Sequence, residues 1–81
     1  MTEKYKCPCC NHNTMSNDDS LMYDICPVCY WENDPIQNID ENFIGGANKV
    51  SLAQARKNYI EFGASSIEFL NKVRKPLDNE M

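Results

Sequence analysis

With 81 residues, the chain is long enough for one small domain, 1–81, and too short for two separate hydrophobic cores. Its hydrophobic content of 42% and charged content of 25% exclude a wholly disordered chain, and its net charge of −4 disfavours general binding to phosphate backbones. No apolar run approaches the roughly 18 residues of a membrane span, and the first residues lack the apolar stretch of a secretory signal. We therefore expect a cytoplasmic protein with no membrane partner.

Two cysteine pairs lie in the first half of the chain, Cys7 with Cys10 and Cys26 with Cys29, and fifteen residues separate them. Such a C-x2-C-x15-C-x2-C pattern suits tetrahedral Zn(II), because each short turn delivers two thiolates. Five cysteines without a secretory signal indicate metal ligands in a reducing compartment rather than a disulfide framework. We predict one Zn(II) ion held by these four cysteines, with iron as the less favoured alternative that the spacing alone does not separate.

The residues around the first pair leave a choice of accessory ligands. Asn11 follows Cys10 and tolerates the left-handed backbone that such a metal turn often requires, which favours Cys7 and Cys10 as the first pair. Cys9 and His12 also have plausible ligand reach and are kept as possible accessory residues. A closed four-thiolate shell leaves no position for water, and no nucleophile and base stand out, so we expect no enzymatic activity.

The chain between and after the two pairs predicts a loop and then a strand. Polar residues over 11–20 predict the loop, and alternating apolar residues over 21–26 predict a half-buried strand with Ile25 on its inner face. Tyr30 and Trp31 are expected to shield the metal and to begin the core. The alternative is an exposed aromatic platform on which bases could stack.

The middle of the chain is acidic. We predict a solvated loop over about 34–48, with Pro35 as a breaker and a sharp turn at Gly45 and Gly46. A phosphate-binding loop is disfavoured there, because no Gly-Lys-Ser/Thr ending follows the glycines.

The C-terminal part predicts two helices. Ser51 and Gln54 form a capping-box pattern, so we expect a helix over about 51–62 that ends at Gly63. A second helix is predicted over about 66–74, and the residues after it are expected to form a tail. Three apolar residues of the second helix are expected to face inward: Ile67, Leu70 and Val73. The predicted fold class is α+β, with a zinc-ribbon-like or rubredoxin-like knuckle half, about 5–33, packed against these two helices.

Several motifs, taken in order, resemble the small bacterial CPCC-type cysteine-rich family over about residues 5–77. The motifs that carry the resemblance are Cys7-Pro8-Cys9-Cys10, Ile25 to Glu32, Gly45 to Asn48, Ser51-Leu52, Ala55 to Tyr59, Phe62-Gly63-Ala64 and Val73 to Pro76. One departure is Asn11, where the family pattern has glycine. The resemblance implies a free-standing bacterial zinc-knuckle protein and implies little about activity.

The favoured function is a non-catalytic zinc-binding module that presents a surface to another protein. Candidate residues of that surface are Tyr30, Trp31, Arg56, Lys57 and Arg74. A nucleic-acid-binding zinc ribbon is one alternative, and it requires the basic residues of the C-terminal half to share a face. Those residues are Lys49, Arg56, Lys57, Lys72, Arg74 and Lys75. A rubredoxin-like electron carrier is the other alternative.

Overall fold

Two short strands flank the first cysteine pair in the computed structural model, which describes residues 4–16 and 24–81. Strand β1 (Lys4–Lys6) pairs with strand β2 (Asn13–Ser16) in an antiparallel sheet. The prediction of a loop over 11–20 is therefore wrong where β2 lies. A polar segment without a strand pattern of its own becomes a strand here because its backbone groups pair with β1.

The two strands do not pair residue for residue. Tyr5 lies opposite Met15 and Lys6 lies opposite Asn13, so Thr14 is an extra residue in β2 and forms a β-bulge. The side chains of Thr14 and Met15 are both buried, although neighbouring residues of a regular strand face opposite ways.

Half of the strand predicted over 21–26, namely 21–23, lies outside the described residues. Its described end contributes one isolated antiparallel bridge, between Ile25 and Glu32, on either side of the second cysteine pair. The prediction that Ile25 faces inward is wrong, because its side chain is exposed.

The acidic stretch contains a short helix, α1 (Pro35–Ile39). Asp34 caps it, since its Oδ1 accepts the backbone N–H of Ile36 at 2.9 Å and that of Gln37 at 3.3 Å. The prediction of a loop broken by Pro35 is wrong here. Proline lacks an N–H, but the first helical position needs none, and its fixed φ suits a helix start.

A buried glutamine ties the rest of this segment to α1. The Gln37 side chain is fully buried, and its Nε2 lies 3.1–3.3 Å from the backbone carbonyl oxygens of Phe43, Asn48 and Val50. Gly46 passes so close that a Cβ there would lie 2.7 Å from the Gln37 amide and 2.6 Å from Asp34 Oδ2. The backbone of the predicted acidic loop is therefore held by specific hydrogen bonds, while most of its side chains remain exposed.

Helix α2 (Leu52–Phe62) begins and ends where the sequence predicts. Ser51 Oγ accepts the N–H of Gln54 at 3.1 Å, and Gly63 ends the helix in the left-handed conformation with φ 90°. The capping box is half formed, because Gln54 Nε2 donates to Asn58 Oδ1 at 2.8 Å instead of returning to Ser51. The buried residues of the helix are Leu52 and Ala55.

The helix predicted over 66–74 is wrong. The chain makes one 3-10 turn there, Ile67–Phe69, and then a hydrogen-bonded turn in which Lys72 donates its N–H to the carbonyl of Phe69 at 2.9 Å. Arg74 donates its backbone N–H to the carbonyl of Pro27 at 3.1 Å, which ties this segment to the second cysteine turn. Ile67 is 62% exposed and Leu70 is 44% exposed, so the prediction that they face inward is wrong, whereas Val73 is half-buried.

The predicted tail folds back on the molecule instead of fraying. A 3-10 turn, Asp78–Glu80, packs against β2, and the Glu80 side chain is buried. The Arg74 guanidinium donates to both carboxylate oxygens of Glu80, at 2.8 and 2.9 Å. This bidentate pair explains why an acidic residue near the chain end is buried.

The cysteines lie within the hydrophobic core of this small α+β fold. The buried hydrophobic cluster contains the five cysteines together with Met15, Val28, Trp31, Leu52 and Ala55. Within the described residues, no helix is both long enough and apolar enough to cross a membrane.

Candidate metal centre

Four cysteine sulfurs converge at the centre of the molecule. Cys7 Sγ lies 3.6 Å from Cys29 Sγ, Cys10 Sγ lies 3.7 Å from Cys26 Sγ, and all four lie within 4.8 Å of one another. Four sulfurs held about 2.3 Å from one ion at the corners of a tetrahedron would lie about 3.8 Å apart. The cluster therefore has the size of a tetrathiolate shell, and each sequence-predicted pair supplies two of its corners.

Each pair sits on a turn with the same backbone geometry. The residue after each second cysteine is left-handed, with φ 67° at Asn11 and φ 69° at Tyr30, which confirms the conformation predicted for Asn11. Asn11 donates its N–H to the Cys7 carbonyl, and Tyr30 donates its N–H to the Cys26 carbonyl, both at 2.8 Å. Each first cysteine donates its own N–H to the carbonyl five residues along, at 2.8 and 2.9 Å. The backbone thus forms the two halves of the site with nearly two-fold regularity.

The thiols share protons among themselves because they are buried together. Hydrogen bonds from the thiols of Cys10, Cys29 and Cys7 lower the pKa of Cys26. Hydrogen bonds with Cys10 and Cys26 raise the pKa of Cys29. Negative charge therefore forms first on Cys26, whereas the raised pKa values of Cys7 and Cys29 keep those two thiols protonated until a cation offsets the repulsion. Metal binding at such a site releases protons.

A threonine lies against the cluster. Thr14 Oγ1 is 2.9 Å from Cys26 Sγ, and its side chain is buried. Sequence reasoning missed Thr14, because it falls in the stretch predicted as a loop and no spacing relates it to the cysteines. Only the pairing of β1 with β2 brings it to the site.

The two accessory candidates lie outside the four-sulfur group. Cys9 is buried beside the cluster, and all five cysteines are free of disulfides. The His12 ring packs edge-on against Tyr59, with ring centroids 6.1 Å apart. The structure therefore offers four cysteine ligands in one group and gives His12 a packing role.

The two aromatic residues after the second pair have different surroundings. Trp31 is fully buried, and its Nε1 donates to Asn38 Oδ1 at 3.0 Å. The interpretation of Trp31 as an interaction residue or as a platform for stacking bases is therefore wrong. Tyr30 is half-buried, and its ring centroid lies 4.6 Å from the ring centroid of Phe69. The Lys72 ammonium lies 5.7 Å from the Tyr30 ring centroid.

Several basic side chains are engaged within the molecule. Arg56 donates to the carbonyl of Pro8 at 2.8 Å and to Glu41 at 2.9 Å, so it links helix α2 to the first cysteine turn. Arg74 is held by the buried Glu80 in the pair described above. Lys49 pairs with Glu68 at 3.2 Å. Lys57 is exposed on α2. The structure thus does not gather the five predicted surface residues into one free surface.

The fold and the cluster define a small domain built on two cysteine turns that can hold a metal ion. The model of the family described as Cysteine-rich CPCC matches residues 5–80, and the chain belongs to that family. This match confirms the resemblance seen in the sequence. Among curated protein sequences, no significant match is found.

Proposed function

We propose that the protein is a non-catalytic zinc-binding module whose tetrathiolate site is structural and whose knuckle half is zinc-ribbon-like or rubredoxin-like. The observation that carries this proposal is the convergence of four buried sulfurs at the spacing of a tetrahedral shell. Four protein ligands close such a shell and leave no position for a water or a substrate, which is typical of structural sites.

A structural metal suits the limited core of this chain. The buried cluster consists largely of the cysteines themselves and of residues that contact them. Without a metal, four buried thiols would supply little attraction for one another, and a chain of this size buries only about 60 to 65% of its unfolded surface. The free energy of metal binding would therefore act as folding free energy. The same shell could hold iron, as in a rubredoxin-like electron carrier, and elemental analysis separates the two metals.

The interaction surface that we propose is the apolar ridge, defined as the exposed side chains of Ile36, Ile39, Phe43 and Ile44. Ile36 and Ile39 stand about one helical turn apart on α1 and are 61% and 88% exposed. The backbone beneath them is fixed by the Gln37 hydrogen bonds. A fixed scaffold that exposes large apolar side chains lowers the entropy lost on binding.

The charge around the apolar ridge favours a partner of particular chemistry. Asp40 and Glu41 are exposed and lie between Ile39 and Phe43 in the chain, and Glu41 pairs with Arg56. We therefore expect a protein partner with an apolar pocket bordered by Lys or Arg, because opposite charges at the rim steer association and select the partner.

The test compares the capture of one identified cellular protein by three metal-loaded chains. The double variant I36S/I39S removes the proposed contacts, whereas I60S removes an isoleucine of similar exposure on α2 and serves as the control. We expect I60S to retain the partner and I36S/I39S to lose it at unchanged metal content. Equal retention by both variants would contradict the apolar ridge as the interaction surface.

Nucleic-acid binding receives less support. Of the six basic residues in 49–75, Lys49, Arg56 and Arg74 form ion pairs with described carboxylates. Their charges are therefore partly neutralised within the molecule. We expect no shift of DNA or RNA in gels at low salt, where phosphate contacts are strongest.

A further inference from the structure

The β-bulge in β2 turns one side chain toward the metal centre. Thr14 is the extra residue of the strand, and both Thr14 and its neighbour Met15 are only 3% exposed. In a regular strand, one of two neighbours would face away from the core. Bulges next to functional sites often re-aim a side chain in this way. The irregularity therefore serves to bring Thr14 to Cys26.

The direction of the hydrogen bond follows from the chemistry of its two atoms. A metal-bound cysteine sulfur is a thiolate, which accepts hydrogen bonds and cannot donate them. The hydroxyl of Thr14, 2.9 Å from Cys26 Sγ, must then be the donor. Because the hydroxyl is buried, water does not readily replace this partner.

The sulfurs of the cluster differ in the donors that reach them. The backbone N–H of His12 lies beside Cys10, and the thiol of Cys9 lies beside Cys29. The donor at Cys26 belongs to a side chain, the Thr14 hydroxyl, whose Oγ1 lies 2.9 Å from Cys26 Sγ. A backbone N–H is kept in every substitution except proline, whereas the donor to Cys26 depends on the identity of residue 14.

We propose that Thr14 is a positioning residue of the metal centre, whose hydroxyl donates a hydrogen bond to the Cys26 thiolate and slows the release of the metal ion. This inference rests on the proposed function in one respect only, namely that the four cysteines hold a metal. The role that it assigns to Thr14 and to the β-bulge is not predicted by the spacing of the cysteines.

The physical reason lies in the charge of the site. Four thiolates and one divalent ion carry a net charge of about −2 in a buried setting, where each hydrogen bond to sulfur offsets part of the excess. The donor also fixes the orientation of Cys26 toward the ion. Partners of metal ligands elsewhere typically contribute about 10- to 100-fold to metal affinity.

The test uses two substitutions at one position. T14V keeps the shape of threonine and removes the hydroxyl, whereas T14S keeps the hydroxyl and removes the methyl group. We expect T14V to release zinc to a competing chelator about 10- to 100-fold faster than the unaltered chain, and T14S to stay within about threefold of it. M15L, which changes the neighbouring buried side chain, should leave the release rate nearly unchanged.

A spectroscopic measurement separates this role from packing. In the Co(II)-substituted protein, loss of the hydrogen bond raises the energy of the sulfur electrons, so the thiolate-to-metal charge-transfer band of T14V should move to longer wavelength. T14S should restore the band position. T14A gives the same comparison if T14V does not fold.

The outcomes distinguish this inference from the proposed function. A chain that takes up no metal when unaltered overturns both. A chain that holds one metal, with release rates and Co(II) bands equal in T14V and T14S, overturns only the role of Thr14.

Discussion

The Asn48 side chain binds the backbone of Glu32 through both of its polar atoms. Asn48 Oδ1 accepts the N–H of Glu32, Asn48 Nδ2 donates to the carbonyl of Glu32, and both distances are 2.8 Å. The side-chain amide thereby makes the same pair of hydrogen bonds that a neighbouring strand would make. It links the segment before α2 to Glu32, the residue after Trp31. Nδ2 also donates to the buried Gln37 at 2.9 Å, so one side chain joins the metal half to the helical half.

Replacing Asn48 by alanine should therefore destabilise the protein markedly. N48A leaves the N–H of Glu32 without its partner, and an unsatisfied buried group costs roughly 1 to 3 kcal/mol. The carbonyl of Glu32 and the amide oxygen of Gln37 each lose one of two hydrogen bonds and keep the backbone N–H groups of Asp34 and Asn48. We expect a decrease of at least about 2 kcal/mol in the free energy of unfolding of the metal-loaded protein, measured with urea. N42A, at an exposed position, is the control. A loss no larger than that of N42A would contradict the bridging role.

Gly46 should tolerate no side chain. An added Cβ would lie 2.6 Å from Asp34 Oδ2 and 2.7 Å from the Gln37 amide carbon, and both groups are held by hydrogen bonds that resist movement. We expect G46A to destabilise the protein by roughly 1 to 3 kcal/mol through overpacking. A47S, one residue along at an exposed side chain, should change thermal stability little. Equal melting temperatures for the two variants would be inconsistent with the close approach.

Substitutions of Cys9 and of Cys26 should have very different effects on the metal content of the protein. Because Cys26 lies in the four-sulfur group and Cys9 lies outside it, we expect C9S to keep the same metal-to-chain ratio as the unaltered protein. C26S should lose most of its metal to a competing chelator, since one corner of the shell is gone. Metal content after dialysis against the chelator checks both. Retention of metal by C26S together with its loss from C9S would place the ligand at Cys9 instead.

Metal affinity should fall as the pH falls. Hydrogen bonding to Cys10 and then Cys26 raises the pKa of Cys7, and hydrogen bonding with the same two residues raises the pKa of Cys29. These thiols are therefore protonated in the metal-free site at neutral pH, and the metal must displace their protons. For each proton released, lowering the pH by one unit should weaken apparent binding about tenfold. Titrations between pH 8 and pH 6 check this linkage, and an affinity independent of pH would contradict it.

The parts of the fold that sequence predicts well depend on short-range chemistry. Two cysteines three residues apart must share a turn, Asn11 takes the left-handed backbone that the turn requires, and Ser51 caps the helix that follows it. Each of these features is decided within a few residues.

The parts that sequence reasoning missed depend on contacts between distant residues. The spacing of Ile67, Leu70 and Val73 suits a helix, but the backbone of Arg74 bonds instead to Pro27, far away in the chain. Likewise, nothing in the residues around Gln37 predicts that its side chain is buried. The burial depends on the turn at Gly46, whose backbone packs against the Gln37 amide.

Thr14 shows the same limit at the site itself. No local pattern marks it, because its position next to Cys26 arises from a one-residue offset between two strands. The sequence therefore identifies the four sulfurs of the cluster, but it does not identify Thr14, whose hydroxyl lies against one of them.

The most direct test of the central claim is elemental analysis of the protein purified without added metal. The proposal of a structural site at Cys7, Cys10, Cys26 and Cys29 predicts one zinc per chain in a colourless protein. One iron per chain in a red, redox-active protein would support the electron carrier in place of the structural zinc module. A folded chain that contains neither metal, and that takes up none when zinc is supplied, would contradict the account.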